Sequence, residues 1–383
     1  MIYFIVLFCV MFLLIQYDVL KEKRGFIFFY IVTLLAFVLL AGLRYRVGLD
    51  SIHYYYIHQT MPEWSELSTF DFSASRYGFL WIVFSAFCKL FSNDYYFLQF
   101  IHALIINCIY FVFIYKFTKY RFTALFLYFI LGFLYFNTEI LRESLAVAVF
   151  LFAIPAFYKK KWIQYYIIAM ISILIHSSAI VVFLFPLVYR IKLNKYFIIS
   201  LVGGFLVCIV LWHNLDAFIG KLFFISDIEG QVYAYIERGY NLRGIVFALL
   251  RHVVMPVVFI AYARKNNFII NHVPFLWLYI LFGIFSVFNA VIFERFQNYI
   301  FFLFILFLVD FFAQLYKQKH QIRMAKILFF FFILIAPTVF QYLRSEHMPG
   351  SRFYQRYFPY RSILNKQRSE ERERLPHFFW HYR

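Results

Sequence analysis

Long apolar runs separated by short polar corners dominate the chain. Runs that read as membrane crossings fall at 2–17, 25–43, 77–91, 95–115, 122–138, 141–157, 162–175, 177–189, 196–212, 245–263, 272–290, 296–315 and 326–343. A helix needs about 20 apolar residues to cross the hydrocarbon of a bilayer. Several runs are shorter than that, so tilted, broken or re-entrant helices are expected, about 11–13 transmembrane helices in all. The runs are continuous and do not alternate residue by residue, which excludes a strand-built barrel. The pattern predicts an all-α polytopic membrane protein whose outer loops form an extracytoplasmic-facing cavity. One membrane domain is expected over 1–343, with outer loops at 44–76 and 213–244, followed by a basic tail at 344–383. The first run, "MIYFIVLFCVMFLLIQY", has no basic flank and no small-residue cleavage site, so it reads as a retained helix.

The polar corners carry orientation. Lys and Arg concentrate in cytoplasmic loops. That rule puts Lys21–Arg24, Lys116–Arg121, Lys159–Lys161, Arg190–Lys195, Arg264–Lys265 and Lys317–Lys326 inside. It leaves 44–76, the Asn137–Glu143 corner, 213–244 and the Glu294–Tyr299 corner outside. Two tensions follow. Between 44–76 and Lys116–Arg121 an odd number of crossings is required, yet two apolar runs lie there. The tail has nine Lys or Arg against four Glu, so charge favours the inside, while parity puts it outside.

Composition adds the solvent. Of 383 residues, 64% are hydrophobic and 15% charged, against about 25% charged in a soluble domain. No globular core hides that much apolar surface, so lipid is the solvent. The formal charge of +18 would suggest nucleic acid in a soluble protein; here it follows from the basic corners, and no nucleic-acid partner is expected. Cys9, Cys88, Cys108 and Cys208 lie inside apolar runs without ligand spacing and read as small buried hydrophobes.

Candidate chemistry lies at the outer ends of the runs: Arg44 and Arg46, then Asp50, His53 and Tyr54–Tyr56; Arg142 and Glu143; His176 with Ser177 and Ser178; Glu294 and Arg295. An ionisable group at membrane depth is costly unless paired or hydrated, which makes each a functional candidate. Arginine suits phosphate, because its planar fork stays charged and donates two bonds to adjacent oxygens. Bland roles stand beside these. Arg44 and Arg46 can snorkel to head groups, and the tyrosines can form an interfacial belt. Arg142 and Glu143, about 100° apart on one helix, can each pair with another helix. A lone histidine on an apolar helix is often a structural hydrogen-bonding group. Asp227-x-Glu229 could hold a divalent metal or simply be a solvated loop. Neither a phosphate-binding P-loop nor a nucleophile elbow occurs.

The order of four stretches resembles the EpsG-type family of Wzy-like polysaccharide polymerases. They are "LRYRVGLDSIHYYY", "FNTEILRESLAVAVFLFAIPAFYKKKW", "LIHSSAIVVF", and "FERFQNYIF" followed by "YFPYRSIL". Two departures are visible: Arg76 and no nearby acid where members often have a glutamate, and Glu143 where many have glutamine. The resemblance implies a multi-pass enzyme of the bacterial cytoplasmic membrane. Such an enzyme would transfer a growing glycan from undecaprenyl pyrophosphate to the non-reducing end of a lipid-linked repeat unit on the outer face. It implies no cofactor and no metal. Its partners would be lipid-linked oligosaccharide repeat units and membrane lipid, with a chain-length regulator and a flippase. On that chemistry Arg142 and Arg295 would bind the donor pyrophosphate, assisted by Arg44 or Arg46. His176 is the first candidate base and Asp50 the second. Tyr54, Tyr55, Glu143, Glu294, Tyr299 and Tyr360 complete the expected substrate site. Two rivals are a lipid-linked-sugar glycosyltransferase or ligase, which would use Asp227-x-Glu229, and a flippase, which should show related halves. A third is a membrane acyltransferase, which would want an acid near His176.

Overall fold

In the computed structural model the apolar runs are helices, and no strand forms among the described residues. The structure describes residues 1–189, 242–286, 290–318, 321–345, 350–370 and 372–375. The run at 196–212, the Asp227-x-Glu229 pair and nearly all of loop 213–244 lie outside them. The helices are α1 (Ile2–Val19), α2 (Phe26–Gly42), α3 (Leu49–Thr60), α4 (Phe79–Lys89), α5 (Tyr95–Phe117), α6 (Arg121–Phe133) and α7 (Leu141–Tyr158). There follow α8 (Trp162–Ile175), α9 (Ser177–Leu187), α10 (Val246–Lys265), α11 (Val273–Phe285), α12 (Ala290–Asn298), α13 (Phe301–Lys317) and α14 (Arg323–Leu343). Among the described residues α1, α5, α7, α10 and α14 are long and apolar enough to cross a membrane, and α12 with α13, bent by 58°, counts as a sixth span. Six shorter apolar helices accompany them: α2, α4, α6, α8, α9 and α11. At 1.5 Å per residue, 11 to 17 residues cover roughly 17–26 Å, short of a ~30 Å hydrocarbon core. The chain is an all-α polytopic membrane protein.

Among the described residues the basic corners at Lys21–Arg24, Lys116–Arg121, Arg264–Lys265 and Lys317 gather at one end of the bundle; Arg190–Lys195 lies outside the described residues. Asp18, at the end of α1, accepts from the backbone and hydroxyl of Thr123 at 2.6 and 2.8 Å. The Lys21 ammonium lies over the Tyr120 ring, 4.2 Å from its centroid, and Lys317 is within electrostatic reach of it. The same end joins α10–α11 to α13: Gln318 bonds Asn266 at 3.4 Å, and Asn271 bonds Asp310 at 2.9 Å. Burying the intervening apolar surface in lipid and collecting Lys and Arg on one side is the arrangement the positive-inside rule describes.

The opposite end answers both sequence-level tensions. Gln99, in the first turns of α5, donates to the carbonyls of Gly42 and Arg44 at 2.8 Å, so α5 starts beside the end of α2. Helix α4 begins and ends on this side. Arg76, just before it, meets His53 at 3.1 Å, and Lys89, at its end, donates to the Met61 carbonyl. One full crossing, α5, therefore separates 44–76 from Lys116–Arg121, and α4 is a short returning helix. The tail also folds onto this end. Arg44 bridges to Ser362, the Tyr45 amide donates to the Arg361 carbonyl at 2.8 Å, and Tyr3 of α1 packs on Phe358 and Tyr360.

Within loop 44–76 the chain forms α3, which carries no clear 3.6-residue stripe of apolar positions. Its start depends on Gly48, whose φ of 95° favours glycine. A Cβ there would lie 2.7 Å from the Thr138 Cβ. Polar bonds inside the bundle fix the neighbouring turn. The Asn137 amide donates to Tyr128 at 2.9 Å and accepts from Asn107 at 2.8 Å, tying the end of α6 to α5. In lipid such groups find partners within the protein. Asn137 is thereby pinned, and Glu139, two residues on, is aimed at α3.

Candidate active site

A helix N-terminus leaves backbone N–H groups unpaired. Gly48, before α3, offers no side-chain cap. Glu139 supplies one from another helix: its two carboxylate oxygens accept from the backbone N–H groups of Leu49 and Asp50 at 3.1 and 3.2 Å. Asp50 is thus brought beside a second, buried carboxylate. Burial and then the Glu139 charge push the Asp50 carboxyl up to about 7, against the pull of Arg356, Arg295 and Arg142. Two acids and three arginines, drawn from α3, the α6–α7 corner, α12 and the tail, meet here.

Each arginine is anchored differently. The guanidinium of Arg142 lies over the Tyr77 ring at 4.7 Å, and the Tyr54 hydroxyl reaches it. Its Nε is buried with no hydrogen-bond partner among the described residues. Arg295 lies 3.7 Å from Glu143, which is itself 2.8 Å from the Asn298 amide. Glu143 is therefore the partner of Arg295 on another helix and not of adjacent Arg142. Arg356 stands over Phe353 at 4.3 Å.

His176 closes the group from the α8–α9 break, within electrostatic reach of Arg142 and Arg295. The break is held by packing: a Cβ on Gly78, at the start of α4, would fall 2.4 Å from the Ile175 carbonyl. The His176 Nδ1 accepts from the Ser178 backbone N–H at 3.2 Å, and the Ser178 hydroxyl is 2.7 Å from it. Tyr299 in turn lies 3.0 Å from that hydroxyl. An N–H aimed at Nδ1 makes it an acceptor, so the neutral ring carries its proton on Nε2.

The other expected site residues fall elsewhere. Arg44 is buried, donates to the Ala41 carbonyl and faces Tyr95, Tyr3 and Tyr360. Arg46 makes a two-pronged pair with Glu373 of the tail at 2.5 Å and lies over Tyr55 at 5.7 Å. Tyr55 packs with Tyr95 and Tyr96. Glu294 turns away to His252, 3.6 Å off. Tyr299 is fully buried behind His176. No group of three or more His, Cys, Asp or Glu is placed to hold a metal among the described residues.

Glu139 and Arg356 were missed by sequence reasoning. Glu139 sits in the quoted "FNTEILRES" stretch, at the polar corner already assigned outside. Arg356 lies among nine tail cations with nothing local to single it out.

The model of the EpsG family matches residues 26–362, a span that holds every member of the cluster. The chain belongs to the EpsG family. EpsG proteins are related to Wzy-like polysaccharide polymerases, so the chain is a multi-pass membrane protein with a polysaccharide-polymerase type of role. No curated protein and no solved structure matches it.

Proposed function

We propose that this EpsG-family protein polymerises glycan on the outer face of a bacterial cytoplasmic membrane. It transfers a growing chain from undecaprenyl pyrophosphate to the non-reducing-end sugar of a fresh lipid-linked repeat unit. The observation that carries this is the convergence of Arg142, Arg295 and Arg356 around Asp50 and Glu139, at the bundle end opposite the basic corners. As the glycosidic bond to pyrophosphate breaks, negative charge grows on the leaving oxygen. Fixed guanidinium groups aimed at that charge lower the barrier. Arg142 and Arg295 hold the pyrophosphate and Arg356 assists. Arg46, engaged with Glu373, and Arg44, enclosed by tyrosines, keep the outer segment folded.

The attacking sugar hydroxyl must lose a proton. Asp50, with a carboxyl pushed up to about 7, is matched to that task near neutral pH. His176 takes the other role. With Nδ1 occupied by Ser178, its Nε2–H donates a hydrogen bond to a phosphate or glycosidic oxygen. This reverses the order of candidate bases drawn from residue type alone.

The test is a chromosomal deletion complemented with wild type, Arg142→Ala or Asp50→Asn at matched protein levels, with lipid-linked glycans run on a gel. Single repeats accumulating without polymer in both variants is the expected result. Normal polymer in both removes the site. Loss of all lipid-linked product in the deletion assigns the protein to an earlier step.

A further inference from the structure

A largely apolar cavity with a few polar side chains adjoins the arginine cluster. It has a volume of about 110 Å³ and lies between α6, α10, α11, α12 and α14. Tyr135 and Asn298 wall it on the side of Glu143, and Tyr357, whose hydroxyl reaches Glu139, lines it as well. Its charged and titratable lining differs in kind from the cluster. Arg251 is hydrogen-bonded to Gln341, and His252 faces Glu294 at 3.6 Å. One cation and one anion balance in charge, so this wall has no excess charge for a pyrophosphate.

Two polar atoms in the wall lack partners among the described residues: His252 Nδ1 and Gln297 Oε1. Their residues are only 7% and 2% exposed. Buried polar atoms are normally hydrogen-bonded, so two orphans on residues that line one cavity mark where a bound ligand supplies partners once those side chains turn toward it. The backbone fixes them. A Cβ on Gly283 would lie 2.5 Å from the His252 carbonyl, so α10 and α11 touch there without a side chain between them. Gln297 is oriented by its amide bond to the Tyr279 carbonyl at 2.7 Å. Tyr279 in turn stacks on Phe304 at 4.6 Å, presenting rigid aromatic surface. Aromatic faces, planar amides and an imidazole around a small concave site form the set that orients a neutral polyhydroxylated ring.

We propose that this cavity binds a neutral sugar ring of the acceptor repeat unit, beside the arginines that hold the donor pyrophosphate. The assignment of donor and acceptor rests on the polymerase reading; the sugar site itself does not. Two probes separate the two. One is the radiolabelled, delipidated repeat oligosaccharide from cells lacking the polymerase. The other is undecaprenyl pyrophosphate. Each is titrated against the full chain in nanodiscs, as wild type, Gln297→Ala, His252→Ala and Arg142→Ala. The variants are compared at equal folded amounts, judged by size-exclusion profile. Gln297→Ala and His252→Ala are expected to weaken oligosaccharide binding at least tenfold and to change pyrophosphate binding less than threefold. Arg142→Ala is expected to do the reverse. In polymerisation with purified lipid-linked repeats, Gln297→Ala should raise KM with kcat within about threefold. Unchanged oligosaccharide affinity in both cavity variants overturns the sugar site, as does a loss of pyrophosphate binding equal to that of Arg142→Ala. Wild-type oligosaccharide binding without polymerisation overturns the polymerase reading and leaves the sugar site standing.

Discussion

Arg46 and Arg142 share one end of this molecule, and the protein treats them oppositely. Arg46 is consumed by the fold, with both arms of its guanidinium on Glu373 at 2.5 Å and its plane over Tyr55. Arg142 has a buried Nε with no partner among the described residues, and with Arg295 and Arg356 it surrounds a pair of carboxylates. Arginine at a membrane edge is thus ambiguous by residue type. What separates a structural arginine from one poised for a ligand is whether the chain already satisfies its guanidinium. Glu373 does so for Arg46, and Glu143 pairs with Arg295, whereas Arg142 keeps a buried Nε without a partner among the described residues. Around Arg142, Arg295 and Arg356, three cations act on Asp50, and burial together with Glu139 opposes its ionisation.

The largest expected effect breaks the comparison on its ligand side. Arg142→Ala and Arg295→Ala should each cut polymerisation by about 10²–10³-fold, the range seen when one transition-state charge donor is removed. Rates are read on purified lipid-linked repeats. Arg46→Gln should stay within about threefold of wild type, because the pair it breaks holds the tail. Equal losses at Arg46 and Arg142 would erase the distinction.

Next in size is Gly48→Ala. It forces a side chain into left-handed backbone and against Thr138. It should shift α3, and Asp50 with it, and lower the polymerisation rate more than it lowers Tm. A Tm drop that fully accounts for the activity loss would show that Gly48 serves folding alone.

The pH dependence sharpens the carboxylate side. With Asp50 pushed up to about 7 and acting in its ionised form, the rate should fall as pH drops below about 7. Removing the neighbouring negative charge with Glu139→Gln lowers that carboxyl, so the acid limb moves to lower pH. Removing a nearby cation with Arg356→Gln raises it, and the limb moves to higher pH. Each displacement should be about one unit. Ser178→Ala frees His176 Nδ1 from its hydroxyl partner and should leave the limb in place. A limb that moves in Ser178→Ala and not in Glu139→Gln would return the base role to His176.

The smallest effect belongs to the structural arginine. Glu373→Gln should cost about 1–3 kcal/mol of stability, as expected for a charge-assisted hydrogen-bonded pair. The readout is a lower Tm with near-normal product lengths.

Much of this was legible before the structure, for identifiable reasons. Continuous apolar runs determine helices, because lipid forces every backbone group to pair internally, and the described basic corners mark one end of the bundle. Arg142, Arg295, Asp50 and His176 stood out as ionisable groups at the ends of such runs, and the structure gathers all four. Helix α3 was hidden in an aromatic, polar stretch because its ordering comes from Glu139, 90 residues away from Leu49. The role of Arg46 was equally hidden, since its anion lies 327 residues further on. Residue type marks where charge sits; only the fold reveals which charges are already spoken for.

The most direct test of that distinction is the affinity of the full chain, in nanodiscs, for undecaprenyl pyrophosphate. Wild type, Arg46→Gln and Arg142→Ala are compared at equal folded amounts. Arg46→Gln should keep wild-type affinity and Arg142→Ala should lose at least tenfold. Wild-type affinity in Arg142→Ala, or a tenfold loss in Arg46→Gln alone, would show that Arg142 does not hold the pyrophosphate.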